Sequence, residues 1–239
     1  MIKFFRRIRK SLLLENKLSK YLLYAVGEIL LVVVGILIAL QVNNWNEEKK
    51  YKINERIILE DLKKNIETNN DILQKGLIQL EALNNSSSII LKVLRENLPY
   101  SDTLDIHFYQ AVIRGDQRIK LSRGAYEAYK NVGFDAIRSK TVQARIISLF
   151  DEKYNNLNEW RNYLIELAAF DHACWTTNFL QHENGFKPLK YDLTIEDDYF
   201  QSYYFDVRRT RGVLIRFIFE CQMESKSVIA LLKEELKRI

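Results

Sequence analysis

The residues of this chain best equipped for chemistry lie in two short runs. Asp171, His172, Cys174, His182 and Glu183 supply carboxylate, imidazole and thiolate, the donor types of a transition-metal site. Their spacing works against convergence. On a helix, positions 172 and 182 point ~80° apart and positions 172 and 174 ~200° apart, so the run reads as a packed cysteine with two partly exposed histidines. Arg208, Arg209, Arg211 and Arg216 could line an anion pocket. The spacing favours a solvated helix face carrying an Arg216 to Glu220 i,i+4 pair. Tyr199, Phe200, Tyr203, Tyr204 and Phe205 form either a ligand-facing or partner-facing patch or a turn that closes the core, the second being preferred. Asn85-Ser86-Ser87 matches a glycosylation acceptor and is discounted. The chain has no Gly-x-Ser-x-Gly elbow, phosphate-binding P-loop, dinucleotide fingerprint or His-Glu-x-x-His pair. It therefore names no catalytic residue, no metal ligand set and no cofactor.

What must position any site is dominated by Tyr21 to Val42, YLLYAVGEILLVVVGILIALQV, whose only charge is Glu28. At the helical rise this run is ~33 Å long, the thickness of a bilayer's hydrocarbon core, and it reads as a transmembrane helix. A cleaved signal peptide would have a shorter apolar region and a small-x-small cleavage site, whereas this run exits through Gln41, Asn43, Asn44 and Trp45. Gly27, Gly35 and Ala39, at i, i+8 and i+12, form a drifting small-residue stripe where a second helix could approach. Glu28 stands beside it. A carboxylate ~10 Å deep must be paired, protonated or reached by water; the competing reading is a glutamate close enough to the headgroups to stay wet.

Charge assigns the sides. Seven lysines and arginines precede the span (Lys3, Arg6, Arg7, Arg9, Lys10, Lys17, Lys20) and four follow it closely (Lys49, Lys50, Lys52, Arg56), which places the N-terminus in the cytoplasm. Residues 1 to 42 hold seven bases and two acids, so of the 36 bases and 31 acids in the chain, 29 of each remain for residues 43 to 239. The basic pI of about 9.0 thus belongs to the membrane end, and nucleic-acid binding loses its electrostatic basis. Lys3, Arg6, Arg7, Arg9 and Lys10, interleaved with Phe4, Phe5 and Ile8, suit a short helix on the inner leaflet; a plain retention signal is the alternative.

The expected architecture is all-α: a basic amphipathic cytoplasmic arm (1–20), a transmembrane helix (21–42), and a helical extracytoplasmic domain (43–239) built as an elongated antiparallel bundle. Only two prolines and eight glycines occur. Ile58, Leu62, Ile66, Leu73, Leu77 and Leu80 form one apolar stripe on a helix running on from the membrane. Partners are a segment from about Lys140 to His182 (Val142, Ile146, Leu149, Leu157, Trp160, Leu164) and one from about Phe205 to Ile239 (Val207, Leu214, Ile218, Cys221, Val228, Leu232). A parallel coiled coil is the weaker choice for the stalk, because residues 63 to 71 are charged and Asn-rich. Asn84 to Ser88 is a helix-weak patch, and Gly115, Gly133 and Gly185 sit where helices could end. Asp102 and the Thr194/Asp197 pair are candidate helix starts.

FFRRIRKSLLLENKLSKYLLYAVGEILLVVVGILIALQVNNWNEEKK resembles the N-terminal signature of a family of Bacteroidota single-span membrane proteins with a domain of unknown function. SRGAYEAYKNVGFDAIRSKTVQARIISLFDEKY is similar to that family's second block. The resemblance implies an inner-membrane anchor with a helical domain, and no reaction, ligand or catalytic residue.

Three function classes follow. The favoured one is an envelope interaction subunit, single-pass in the inner membrane, whose span recruits a membrane-protein partner or a second copy. The others are a ligand-sensing bundle signalling through a partner, and an enzyme with an unfamiliar site. In an oxidising compartment Cys174 and Cys221 could form a disulfide, the alternative being two separate buried thiols.

Overall fold

The computed structural model describes residues 18–112, 119–169 and 177–239. Two units are distinguished, one ending at Asn54 and the other spanning Glu55–Ile239. The first is helical from Leu18, the start of helix α1 (Leu18–Glu96). Its Leu, Ile and Val side chains between Leu22 and Val42 are exposed to the surroundings, and this is the one helix among the described residues long and apolar enough to cross a membrane.

The second unit is a helical bundle with one small hairpin. After α1 come a 3-10 turn (Asp102–Leu104), α2 (Asp105–Val112), α3 (Gly124–Val132), a second 3-10 turn (Phe134–Ala136) and α4 (Lys140–Ile147). A π-helical turn (Ser148–Lys153) joins α4 to α5 (Tyr154–Ala169). Strands β1 (Phe179–His182) and β2 (Gly185–Pro188) pair antiparallel, and α6 (Tyr191–Glu196) precedes α7 (Asp198–Arg238). Contacts from α7 to α1 run Arg208 to Ser88, Gln222 to Gln74 and Lys233 to Glu67, so the two helices are antiparallel. Those to α4 and α5 run Arg145 to Glu224, Tyr154 to Ser225 and Trp160 to Phe217, again antiparallel.

Helix boundaries follow local chemistry, in places against expectation. Helix α1 ends where Asn97 takes a left-handed conformation (φ 49°) and the Leu98 N–H reaches back to Val93 O, ahead of Pro99. Ser101, not Asp102, caps the first 3-10 turn. Asp197 caps α7 by accepting from the Tyr199 N–H, while Thr194 lies inside α6 and back-bonds to Lys190 O. Gly133 closes α3 as expected, but Gly185 opens a strand; Gly115 lies outside the described residues. Among the described residues, the long helix expected from 140 to 182 is interrupted by the π-turn and followed to Ala169, and its expected last four residues, Phe179–His182, are instead the hairpin's first strand.

The π-turn explains how α4 and α5 share one core. Val142 and Tyr154 are twelve residues apart, which on an uninterrupted α-helix turns them ~120° from each other; one residue spent on the π-turn brings them to within ~20°. Both are buried, with Ile146, Leu149, Phe150, Leu157 and Leu164.

Two apolar cores are stacked along α1 and α7. The larger contains Leu59, Leu62, Ile66, Leu73 and Leu80 of α1 and Leu214, Ile218, Cys221, Val228 and Leu232 of α7. The smaller gathers Ile90, Val93 and Leu94, Phe108 of α2, Phe179 of β1, and Phe200, Tyr203, Tyr204 and Val207 of α7. The aromatic run thus largely closes a core, with Tyr199 and Phe205 outside. Between the cores lies a buried polar layer: Ser86 and Ser87 of α1, Thr210 and Arg211 of α7.

That layer corrects two expectations. Residues 84 to 88 do not break α1, because their polar groups are used inside it: Ser87 and Ser88 hydroxyls back-bond to Leu83 O and Asn84 O. Arg211 is not on a solvated face but fully buried, donating to Ser87 Oγ, Leu83 O, Gln110 O and Ala111 O. Burial depresses its pKa to about 10. Arg208 bonds Ser88 Oγ, Arg209 pairs with Asp206, and Glu220 pairs with Lys153 rather than Arg216. A buried carbonyl losing its donor costs about 1–3 kcal/mol. Arg211→Met should therefore lower the unfolding free energy by at least about 2 kcal/mol in urea titration; a smaller loss would show that the layer is not what joins the cores.

Candidate functional site

The span residues singled out for helix association are placed, but their grouping changes. Gly27, Gly35 and Ala39 are exposed and Glu28 is half-buried; a Cβ added at Gly27 or Gly35 meets nothing within 4 Å. By helical geometry Glu28, Gly35 and Ala39 fall within ~20° of one direction, with Gly27 ~100° away from Glu28. The carboxylate is thus on the small-residue face itself. Lys3, Arg6, Arg7, Arg9 and Lys10 lie outside the described residues.

In the second unit the sequence signals for chemistry resolve into pins. Asp105, buried at the start of α2, accepts from Tyr100 Oη at 2.7 Å and holds His182 Nε2 at 2.7 Å. His182 Nδ1 accepts from the Asn184 N–H, so the imidazole carries its proton on Nε2 and has both nitrogens in use. Gly185 (φ 144°) lies so close that a Cβ there would come 2.2 Å from Asp105 O. The group fastens the hairpin to α2. Ser86 donates to Gln110 Oε1 at 2.6 Å, so His107 Nδ1, 3.1 Å from the same hydroxyl, is not set to take its proton. Asp171, His172 and Cys174 lie outside the described residues, among which no cluster of three or more metal-binding side chains occurs.

Cys221 is a buried free thiol that donates to Lys153 O, and burial raises its pKa to about 12. It should resist alkylation in the native protein. Labelling of unreduced, denatured chain then reports whether it is bridged to Cys174: full labelling of both excludes the disulfide.

A cavity of about 310 Å³ lies between α5 and a strap formed by residues 119 to 123. The strap is fixed at three points. Ile119 packs on Gly76 of α1, where a Cβ would come 2.6 Å from Ile119 Cγ1. The Asn69 side chain of α1 clasps Ser122 through Nδ2 to Ser122 O and Ser122 N to Oδ1, both 2.8 Å. Arg123 then grips the π-turn. There the Tyr154 N–H bonds Leu149 O instead of Phe150 O, and Phe150 O accepts from Arg123 Nη1 at 2.7 Å. Arg123 Nη2 pairs with Asp151 Oδ1 at 2.7 Å and Nη1 also bonds Asn155 Oδ1. Tyr126 donates to Asp151 Oδ2 and stacks on Phe150. Although burial pushes the Asp151 pKa up, hydrogen bonds from Tyr126 and Arg123 and the Arg123 charge outweigh it and hold the carboxyl below its ordinary value; burial and then Asp151 push Tyr126 up.

A carboxyl with a lowered folded pKa contributes stability above its unfolded pKa and loses it as pH falls through the folded one. Asp151→Asn should thus be less stable than the parent at neutral pH, with the gap closing in acid; a gap independent of pH would remove the charge from the account. Asn69→Ala should cost about 1–2 kcal/mol and speed amide exchange at Ser122 more than elsewhere in the bundle.

Sequence reasoning missed this cavity. Arg123, Tyr126 and Asp151 all fall in the second quoted block, but nothing in their spacing announces a π-turn. Asn69, a fully buried amide within the stripe of Ile66 and Leu73, was the available signal.

No curated protein and no solved structure gives a significant match to this chain. Residues 28–99, which begin at Glu28 and run through the rest of α1 to Pro99, match a family of unknown function (DUF6090).

Proposed function

We propose that this chain is an inner-membrane interaction subunit of the cell envelope: a single span, N-terminus in the cytoplasm, that recruits a membrane protein or a second copy through the face bearing Glu28, Gly35 and Ala39, and a helical domain displayed in the periplasm. The observation that carries it is the open backbone at Gly35, which no side chain among the described residues covers, on the same face as a carboxylate. Close helix approach needs small residues at the crossing. The seven-to-four excess of basic residues ahead of the span supports the orientation.

Two measurements test it. A C-terminal reporter active only in the cytoplasm should be silent; activity would reverse the topology. In native-membrane crosslinking, Gly35→Leu should abolish association, because a bulky side chain separates the backbones along the whole crossing. Glu28→Gln should weaken it less, since glutamine keeps hydrogen-bonding capacity and interhelical polar contacts average only about 0.6 kcal/mol. Crosslinks unaffected by Gly35→Leu would reduce the span to an anchor.

A further inference from the structure

We propose that the face shared by α1 and α7, around Ile78, Phe219 and Met223, is where a second copy of this chain docks in parallel, α1 of each copy lying against α7 of the other. This goes beyond the membrane-association reading and does not rest on it.

Apolar exposure locates the face. Ile78, Phe219 and Met223 are 60%, 58% and 55% exposed. Gln74 and Gln222 meet across the seam between the two helices; Ile78 is one turn along from Gln74, Phe219 one turn from Gln222 in the same direction, and Met223 adjoins Gln222, so the three share one patch. Apolar residues scattered singly need no explanation, whereas a group of them marks an interaction site.

Charge frames the patch in a regular way. On α1, Asp71, Gln74, Ile78 and Glu81 follow i, i+3, i+7 and i+10, and on α7 Arg216, Phe219, Met223 and Lys226 repeat that spacing. All eight are exposed. Because the helices are antiparallel, with Gln74 meeting Gln222 and Ser88 meeting Arg208, Asp71 stands level with Lys226, Gln74 with Met223, Ile78 with Phe219 and Glu81 with Arg216, each to within ~1.5 Å of rise. Acids therefore close both ends of the α1 strip and bases both ends of the α7 strip. Among the described residues these four charges form no ion pair, and Arg216 lies over the Phe217 ring. The other charges along the block are turned elsewhere: Glu220 and Glu224 pair with Lys153 and Arg145, and Lys75 points ~100° away from Gln74.

That pattern selects both the occupant and its direction. A two-fold axis parallel to the helices brings α1 against the other copy's α7 at the same level, so Asp71 meets Lys226, Glu81 meets Arg216 and Ile78 meets Phe219, each contact made twice. Turning the second copy end over end sets α1 on α1 and α7 on α7; centred on the apolar residues, it puts Asp71 opposite Glu81 and Arg216 opposite Lys226. Like charges at every corner oppose that arrangement. A face that answers its own charges level for level is self-complementary, which favours a second copy over an unrelated protein.

Two differently tagged copies of the full chain, co-expressed in the native membrane with a photoreactive amino acid at position 223, test the assignment. A crosslink between the tags is expected, mapping to the other copy's α1 near Gln74 and Ile78. Arg216→Glu in both copies, or Glu81→Arg in both, should lower its yield by at least about tenfold, or about 1.4 kcal/mol. Arg216→Glu in one copy with Glu81→Arg in the other restores opposite signs at both contacts and should bring the yield back to within about twofold of the parent. Both positions are exposed, and unchanged thermal melts of the purified variants verify that they fold. No crosslink between the tags, capture of a different protein, a crosslink mapping to the other copy's α7, or a mixed pair as weak as the single substitutions would overturn the proposal. Position 223 reports on this face alone, so its failure leaves the membrane-association reading standing, and crosslinks placed within the span test that reading separately.

Discussion

Burying a guanidinium is costly unless acceptors surround it, and the four that the Nη atoms of Arg211 use are assembled only when three helices are in place at once. Its partners are a hydroxyl and a carbonyl of α1 and the last carbonyls of α2, reached from α7. Slide α7 along α1 by one turn and those bonds are lost together. An apolar seam of Leu, Ile and Val alone would tolerate several registers; the polar layer tolerates one. The relative placement of the two cores, one built around Leu62 and Ile218 and the other around Phe108 and Phe200, follows from it.

The larger core repeats the device in a different form. A π-turn frees a carbonyl, Arg123 occupies it, and Asp151 and Tyr126 hold Arg123 in turn. The strap that carries Arg123 is tied to α1 by an amide mimicking a backbone partner and by a glycine that lets Ile119 approach. Structural polar groups thus form a frame around the cavity. Lys120, Arg161 and Asn158 stand on its rim, where Arg161 donates to the Asn158 side chain.

Much of the fold was legible because it rests on periodicity. The apolar stripes of α1, α5 and α7 were read from their spacing, and the buried set, from Leu62 to Leu232, is largely the set those stripes contain. Polar positions were misread for a common reason. Ser86, Ser87, Arg211 and Asn69 look like surface or breaker residues, and only the tertiary structure supplies the partners that allow them inside. The hairpin escaped notice because four-residue strands carry too little alternation to separate from the end of a helix. His182 and Asp105 are 77 positions apart, and no local pattern connects them.

The π-turn also constrains how this architecture can vary in length. A one-residue deletion between Ser148 and Lys153 would heal the turn into ordinary α-helix and look negligible in a pairwise alignment. It would also keep α5 on its face, because eleven residues of α-helix turn through the same angle as twelve that include the π-turn, and Leu157 would stay in the core. What would disappear is the freed carbonyl of Phe150 and, with it, the acceptor that holds Arg123 to the helix. Proteins sharing this plan can therefore differ by one residue between Val142 and Tyr154 and still pack the same bundle, and a gap placed there marks a chain whose strap is fastened another way.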